Sequence, residues 1–144
     1  MWIIYAIGAS VFWGITYVLN EQIYKHISVI STLAITLIAS GIVAGLIGFW
    51  TGAFEKDLET LLSSNRVLVL LISVVAVFII AEIFIALSIV YKNATIAGLI
   101  EISYPIFIAI FSYLLFKENQ LNTMTAVGGL IIFLGIGVIY LANR

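Results

Sequence analysis

Apolar residues run along the chain in five long stretches, separated by short polar clusters. They predict helices over residues 2–24, 30–50, 67–90, 94–116 and 123–141. Each stretch supplies roughly the 20 residues that carry an α-helix across a hydrocarbon layer about 30 Å thick. The first break holds Lys25 and His26, the third Lys92 and Asn93, and the fourth Lys117, Glu118, Asn119 and Gln120. Breaks this short read as tight hairpins between antiparallel neighbours. The second break is longer, and within it Phe54, Leu58, Leu61 and Leu62 recur at helical spacing opposite Glu55, Lys56 and Glu59. That pattern predicts a short helix lying in the membrane interface. Trp2, Tyr5, Trp50, Tyr91 and Tyr140 fall near the expected helix ends, where an amphipathic ring buries its body and wets its polar edge.

Composition narrows the class further. The 144 residues are 64% hydrophobic and 9% charged, with a mean hydropathy of +1.27. A soluble domain is roughly half apolar and a quarter charged, so a water-soluble fold is excluded. The expected fold is an all-α integral membrane protein with five transmembrane helices, a single domain over residues 1–144, multi-pass in the cell membrane with the lipid bilayer as its surroundings. The N-terminal run has no basic lead and no small-x-small cleavage site, so it is expected to be a retained first helix. Cysteine is absent, which removes disulfides, thiolate metal sites and a cysteine nucleophile. A net charge of −1 speaks against a nucleic-acid partner. With one histidine, His26, and no metal cluster, phosphate loop or triad, neither an enzyme nor a bound cofactor is expected.

Orientation is balanced. Lys and Arg near helix ends normally collect on the cytoplasmic side, but here Lys56, Arg66 and Lys117 would flank one side and Lys25, Lys92 and Arg144 the other, three against three. An odd number of spans places the termini on opposite sides, so an inverted copy could pair with an upright one as an inverted repeat. An antiparallel homodimer is compatible with that balance, and so is a single orientation held by acidic neighbours or a partner.

Two carboxylates interrupt the apolar stretches. A charged side chain at the bilayer centre costs about 2.5 kcal/mol or more and usually faces a cavity or pathway. At 1.5 Å per residue, Glu82 lies about 5 Å past the middle of the third span and Glu101 about 6 Å before the middle of the fourth, which antiparallel helices bring to similar depth. Both are candidates to bind a proton or a cationic substrate; the alternative is a hydrogen-bonded role in assembly. On the fourth helix Gly98, Glu101, Tyr104, Pro105, Ile108 and Ser112 share one face by their spacing. Pro105, the single proline, frees backbone carbonyls and bends the span, so Pro105 and Gly98 are the candidate kink and hinge. The first helix has a comparable face in Ser10, Trp13, Gly14, Tyr17, Asn20, Glu21 and Tyr24, of which Trp13, Tyr17 and Asn20 are candidates to line the same cavity. Aromatic rings beside carboxylates favour a cationic or aromatic small-molecule substrate. Gly41, Gly45 and Gly48 on the second helix, with Gly128 and Gly135 on the fifth, have the small-residue spacing of helix-packing seams.

From residue 86 the chain reads ALSIVYKNATIAGLIEISYPIFIAIFSYLLFKENQLNTMTAVGGLIIFLGIGVIYLANR. This stretch resembles the EamA module of the drug/metabolite transporter superfamily. The likeness lies in the small-residue start of the fourth helix, Pro105 at its middle, the exit from Phe116 to Glu118 where the family often has a Gly-Glu or Lys-Glu turn, and the glycine-rich fifth helix. Trp13 and Gly14 resemble the family's first helix. Familiar members carry two such modules in inverted orientation and move metabolites, amino acids or drugs by alternating access. The resemblance therefore implies one half of an inverted-repeat transporter, working as a pair of five-helix subunits, with Glu118 in a structural role at a helix end. Glu82 and Glu101 match no general family motif, and their role is inferred from the residues alone. Two alternatives stand beside a dimeric secondary transporter: a non-transporting membrane scaffold or subunit, and half of a ten-helix carrier that needs a partner chain.

Overall fold

A computed structural model describes residues 1–119 and 121–143; Gln120 of the fourth break and Arg144 of the charge balance lie outside the described residues. The described residues form helices α1 (Trp2–Ile23), α2 (Val29–Trp50), α3 (Ala53–Ser63), α4 (Asn65–Tyr91), α5 (Ala94–Glu101), α6 (Tyr104–Phe116) and α7 (Thr123–Ala142). Five spans are long and apolar enough to cross a membrane: α1, α2, α4, α5 with α6, and α7. A span of 22 residues such as α1 is about 33 Å long, which matches the hydrocarbon thickness. The expected bounds agree with the observed ones to within two residues at every span.

Polar residues in the breaks start the next helix by satisfying its first backbone amides. Ser28 accepts from the Ser31 N–H at 3.2 Å, Asn93 Oδ1 from the Ile96 N–H at 2.8 Å, and Asn122 Oδ1 from the Thr125 N–H at 2.8 Å. Each such cap is worth about 1 kcal/mol. The long second break contains α3, as its amphipathic pattern predicts, with Glu55 in its first turn where the helix dipole favours a negative charge. Gly52 sits between α2 and α3 at φ +69°, a left-handed conformation that strains any residue with a Cβ.

The fourth span is the one place where a single predicted helix becomes two. α5 ends at Glu101 and α6 begins at Tyr104, with Pro105 in its first turn. Proline has no N–H to give the carbonyl four residues back, which is that of Glu101, and its ring crowds the same turn. The chain answers with tighter bonds: the Ser103 N–H donates to Ile100 O at 3.1 Å and the Ile106 N–H to Ser103 O at 3.1 Å.

By internal packing the chain divides into two units, one formed by Met1–Leu19 with the chain from Tyr91 onward, the other by Asn20–Val90. In the first unit α5 packs on α7, and the Lys92 ammonium donates to the Asn143 carbonyl at 2.8 Å, tying the start of α5 to the end of α7. Ala94 and Ala97 are buried in this unit. In the second unit α2 and α3 are in contact, and Thr32, Leu33, Ala86 and Ile89 are buried. Most large apolar side chains instead face outward, for example Val77 at 65% and Leu115 at 69% exposure. Such a surface has lipid, not water, as its solvent. The glycine seams show two behaviours: a Cβ on Gly41, Gly45, Gly128 or Gly135 would meet no described atom within 4 Å, whereas one on Gly48 would lie 2.9 Å from the Phe54 ring. Within the chain, Gly48 alone of these five is used for close approach.

The two left-handed residues among those described, Gly52 and Lys117, differ in what they tolerate. Gly52→Val is expected to cost about 1–2 kcal/mol and Gly52→Asn clearly less, while Lys117→Gly leaves stability unchanged or raised. Unfolding of the purified variants in detergent micelles checks the order.

Candidate functional site

Residue Glu101 lies in the middle of an apolar span, at the interruption between α5 and α6. Its carboxylate Oε2 accepts a hydrogen bond from the Tyr17 hydroxyl of α1, 84 positions earlier in the chain. Gly98, one turn before Glu101, makes room for this approach: a Cβ there would stand 3.3 Å from Cδ2 of the Tyr17 ring. Trp13, one turn before Tyr17, turns its ring against the Tyr17 ring with centroids 5.8 Å apart and planes tilted by 58°. Four residues singled out by helical spacing, Trp13, Tyr17, Gly98 and Glu101, thus form one cluster in the first unit. Tyr17 and Glu101 are half-buried, whereas Trp13 is 47% exposed.

Gly98 lies inside α5, and the interruption itself falls at Ile102 and Ser103, one turn beyond it. Close approach of Tyr17 is what the structure shows for Gly98. Tyr104 opens α6 and lines an open groove of about 640 Å³ with Phe107, Ile108, Phe111, Ser112 and Leu115, ending near Glu118. Tyr17, Trp13 and Glu101 do not line that groove.

Residues Asn20 and Glu82 belong to the second unit, Asn20 as its first residue and Glu82 half-buried within α4. There Glu82 acts electrostatically on Tyr24, a residue placed by spacing on the first helix's polar face but not among the candidate site residues. Tyr24 lies just beyond α1, and burial, then the nearby Glu82 carboxylate, raise its phenol above the ordinary value. Both effects disfavour the phenolate: burial strips its hydration and Glu82 repels it. The register from Tyr17 through Asn20 to Tyr24 was the available signal; its partner on α4 was not legible.

At the far end of α6, Lys117 adopts φ 61°. Its N–H donates to Tyr113 O at 3.0 Å, and the Glu118 N–H donates to Ser112 O at 3.3 Å. The Lys117 ammonium stands 5.4 Å from the centre of the Tyr113 ring. The turn explains why glycine suits this position, since only glycine takes the left-handed conformation freely. It also shows the Glu118 backbone closing the helix.

Among the described residues, an all-helical fold with five spans long and apolar enough to cross a membrane defines a polytopic membrane protein. The chain belongs to the EamA-like transporter family, whose model matches residues 1–141. No curated protein and no solved structure matches it significantly. Members of the family are membrane transporters of the drug/metabolite superfamily rather than enzymes.

The Tyr24 phenol should lose its proton above pH 10 in the folded chain. Its stabilising contribution is complete below the unfolded value near 10 and disappears as pH rises through the folded value. Phenolate absorbance titrations should show Glu82→Gln lowering the Tyr24 pKa without bringing it back to the ordinary value, because burial is the larger cause.

Proposed function

We propose that the protein is a secondary transporter that acts as a dimer, carries a small cationic or aromatic compound by alternating access, and exchanges a proton or the cation at Glu101. The observation that carries this reading is the hydrogen bond between Tyr17 and Glu101 at the interrupted fourth span. A mid-membrane carboxylate costs free energy that an inert packing position does not need, and carriers place such groups where a helix is discontinuous, because unwound backbone supplies further polar atoms there. Glu101 is held by a hydroxyl rather than by a basic side chain, so its negative charge remains available to a proton or cation. The flexible element is the Ile102–Ser103 interruption beside Pro105, which can absorb bending as the two copies rock around the site. Trp13 and Tyr17 supply aromatic walls. Glu82 and Asn20, with Tyr104 at the start of α6, are proposed as further contributors to the pathway. The balance of basic residues on the two sides of the spans supports a pair of oppositely inserted copies in the cell membrane.

The test is reconstitution into liposomes. Glu101→Gln should abolish pH-gradient-driven uptake of organic cations while leaving detergent-solubilised size unchanged, and Tyr17→Phe should retain uptake with an altered pH profile. Unchanged transport in both Glu101→Gln and Glu82→Gln would favour the scaffold reading instead. Since the chain has no cysteine, Lys25→Cys and Lys56→Cys variants labelled from outside the cell should both react if the protein inserts in both orientations; reaction at one position alone would leave a parallel assembly or a missing partner.

A further inference from the structure

Three features meet at Glu101 and together specify what kind of cation the site accepts. First, the carboxylate is met by a neutral donor. Among the described residues of its unit the side-chain cations are Lys92 and Lys117, and both are engaged at helix ends, Lys92 on the Asn143 carbonyl and Lys117 over the Tyr113 ring. A carboxylate offers about four acceptor positions, and the Tyr17 hydroxyl takes one of them, on Oε2. Second, the same residue presents its main-chain carbonyl at the C-terminal end of α5, where the helix dipole is negative and where Pro105 has no N–H to return. Acceptors are therefore concentrated at this point. Third, the tyrosine whose hydroxyl meets the carboxylate has the Trp13 ring tilted against its own, centroids 5.8 Å apart, and ring faces attract cations.

We propose that this site takes a protonated primary or secondary amine, whose N–H groups replace the Tyr17 hydroxyl on the Glu101 carboxylate while its apolar body rests on the Trp13 and Tyr17 rings. The proposal rests on the reading of Glu101 as the carrier's binding residue and specifies its substrate class. An ammonium N–H brings both a donor and a charge, and a charge-assisted hydrogen bond is about twice as strong as the neutral one it displaces. A quaternary ammonium brings the charge but no N–H; to reach the carboxylate it must displace Tyr17 and leave acceptors without donors, which is the costly half of hydrogen-bond exchange. A monatomic cation would use the oxygens and leave the rings without a role. Tyr17 is a positioning residue here, holding the carboxylate until the amine arrives.

The experiment is calorimetric titration of the purified protein in detergent with 2-phenylethylammonium and with its N,N,N-trimethyl analogue, at a pH where the amine is fully protonated. The expected result is binding of the primary ammonium about tenfold or more tighter than the quaternary one. Glu101→Gln should erase that preference. Tyr17→Phe should tighten the primary ammonium severalfold, since no hydroxyl then competes, a gain that a merely structural tyrosine would not produce. Equal affinities, or a tighter quaternary ligand, with both lost in Glu101→Gln would overturn the amine proposal and leave the carrier reading of Glu101 standing. A preference that survives Glu101→Gln would overturn both, and absence of binding by either probe to the unmodified protein would overturn the amine proposal.

Discussion

Within the hydrocarbon layer no water is present to satisfy a backbone amide, so every N–H and C=O that crosses it must find its partner inside its own helix. The organisation of this chain follows from that constraint. Its apolar stretches form helices of membrane-crossing length, its polar residues are gathered into the breaks, and the last side chain of a break is repeatedly one that caps the next helix, as with Ser28, Asn93 and Asn122. The longest break forms the amphipathic helix α3 rather than a loop, because its apolar residues can lie along the interface while its charges face water.

Against this background the interruption of the fourth span stands apart. Pro105 takes away a donor in the middle of the span, and the freed region coincides with a carboxylate, Glu101, whose hydroxyl partner comes from a distant helix. Polar atoms that would be a liability on a lipid-facing surface are here concentrated and shared between α1, α5 and α6. The costs of the proline and of the carboxylate fall on the same few residues, which is how strain and polarity are usually retained at a working site. The left-handed turn at Lys117 is a different device: it ends α6 and returns the backbone N–H of Glu118 to the helix it leaves.

Family membership and site geometry support each other at different levels. The family match covers nearly the whole chain and identifies a membrane transporter. The chemistry of that transport is inferred from residues that no general family pattern requires, chiefly Glu101 and Tyr17. The observation those inferences share is the hydrogen bond from the Tyr17 hydroxyl to Glu101.

The number of spans, their bounds and the short amphipathic helix were legible in the sequence, since the length of an apolar run and the amphipathic pattern of residues 54–62 are properties of the chain read in one dimension. Pro105 marked where the fourth span would be disturbed, although its division into α5 and α6 at Ile102 and Ser103 required the backbone itself. Helical spacing gathered Trp13 with Tyr17 and Gly98 with Glu101, each pair on its own helix. Only the tertiary structure joined the two pairs through the Tyr17–Glu101 bond, put Gly98 beneath the Tyr17 ring, and placed Tyr24 near Glu82. The physical reason is the solvent. In water a helix is apolar on the face it buries and polar on the other, so the pattern reveals the packing side; in lipid nearly every face is apolar, and which helix each face meets is decided by three-dimensional fit and by the few polar atoms that must find one another.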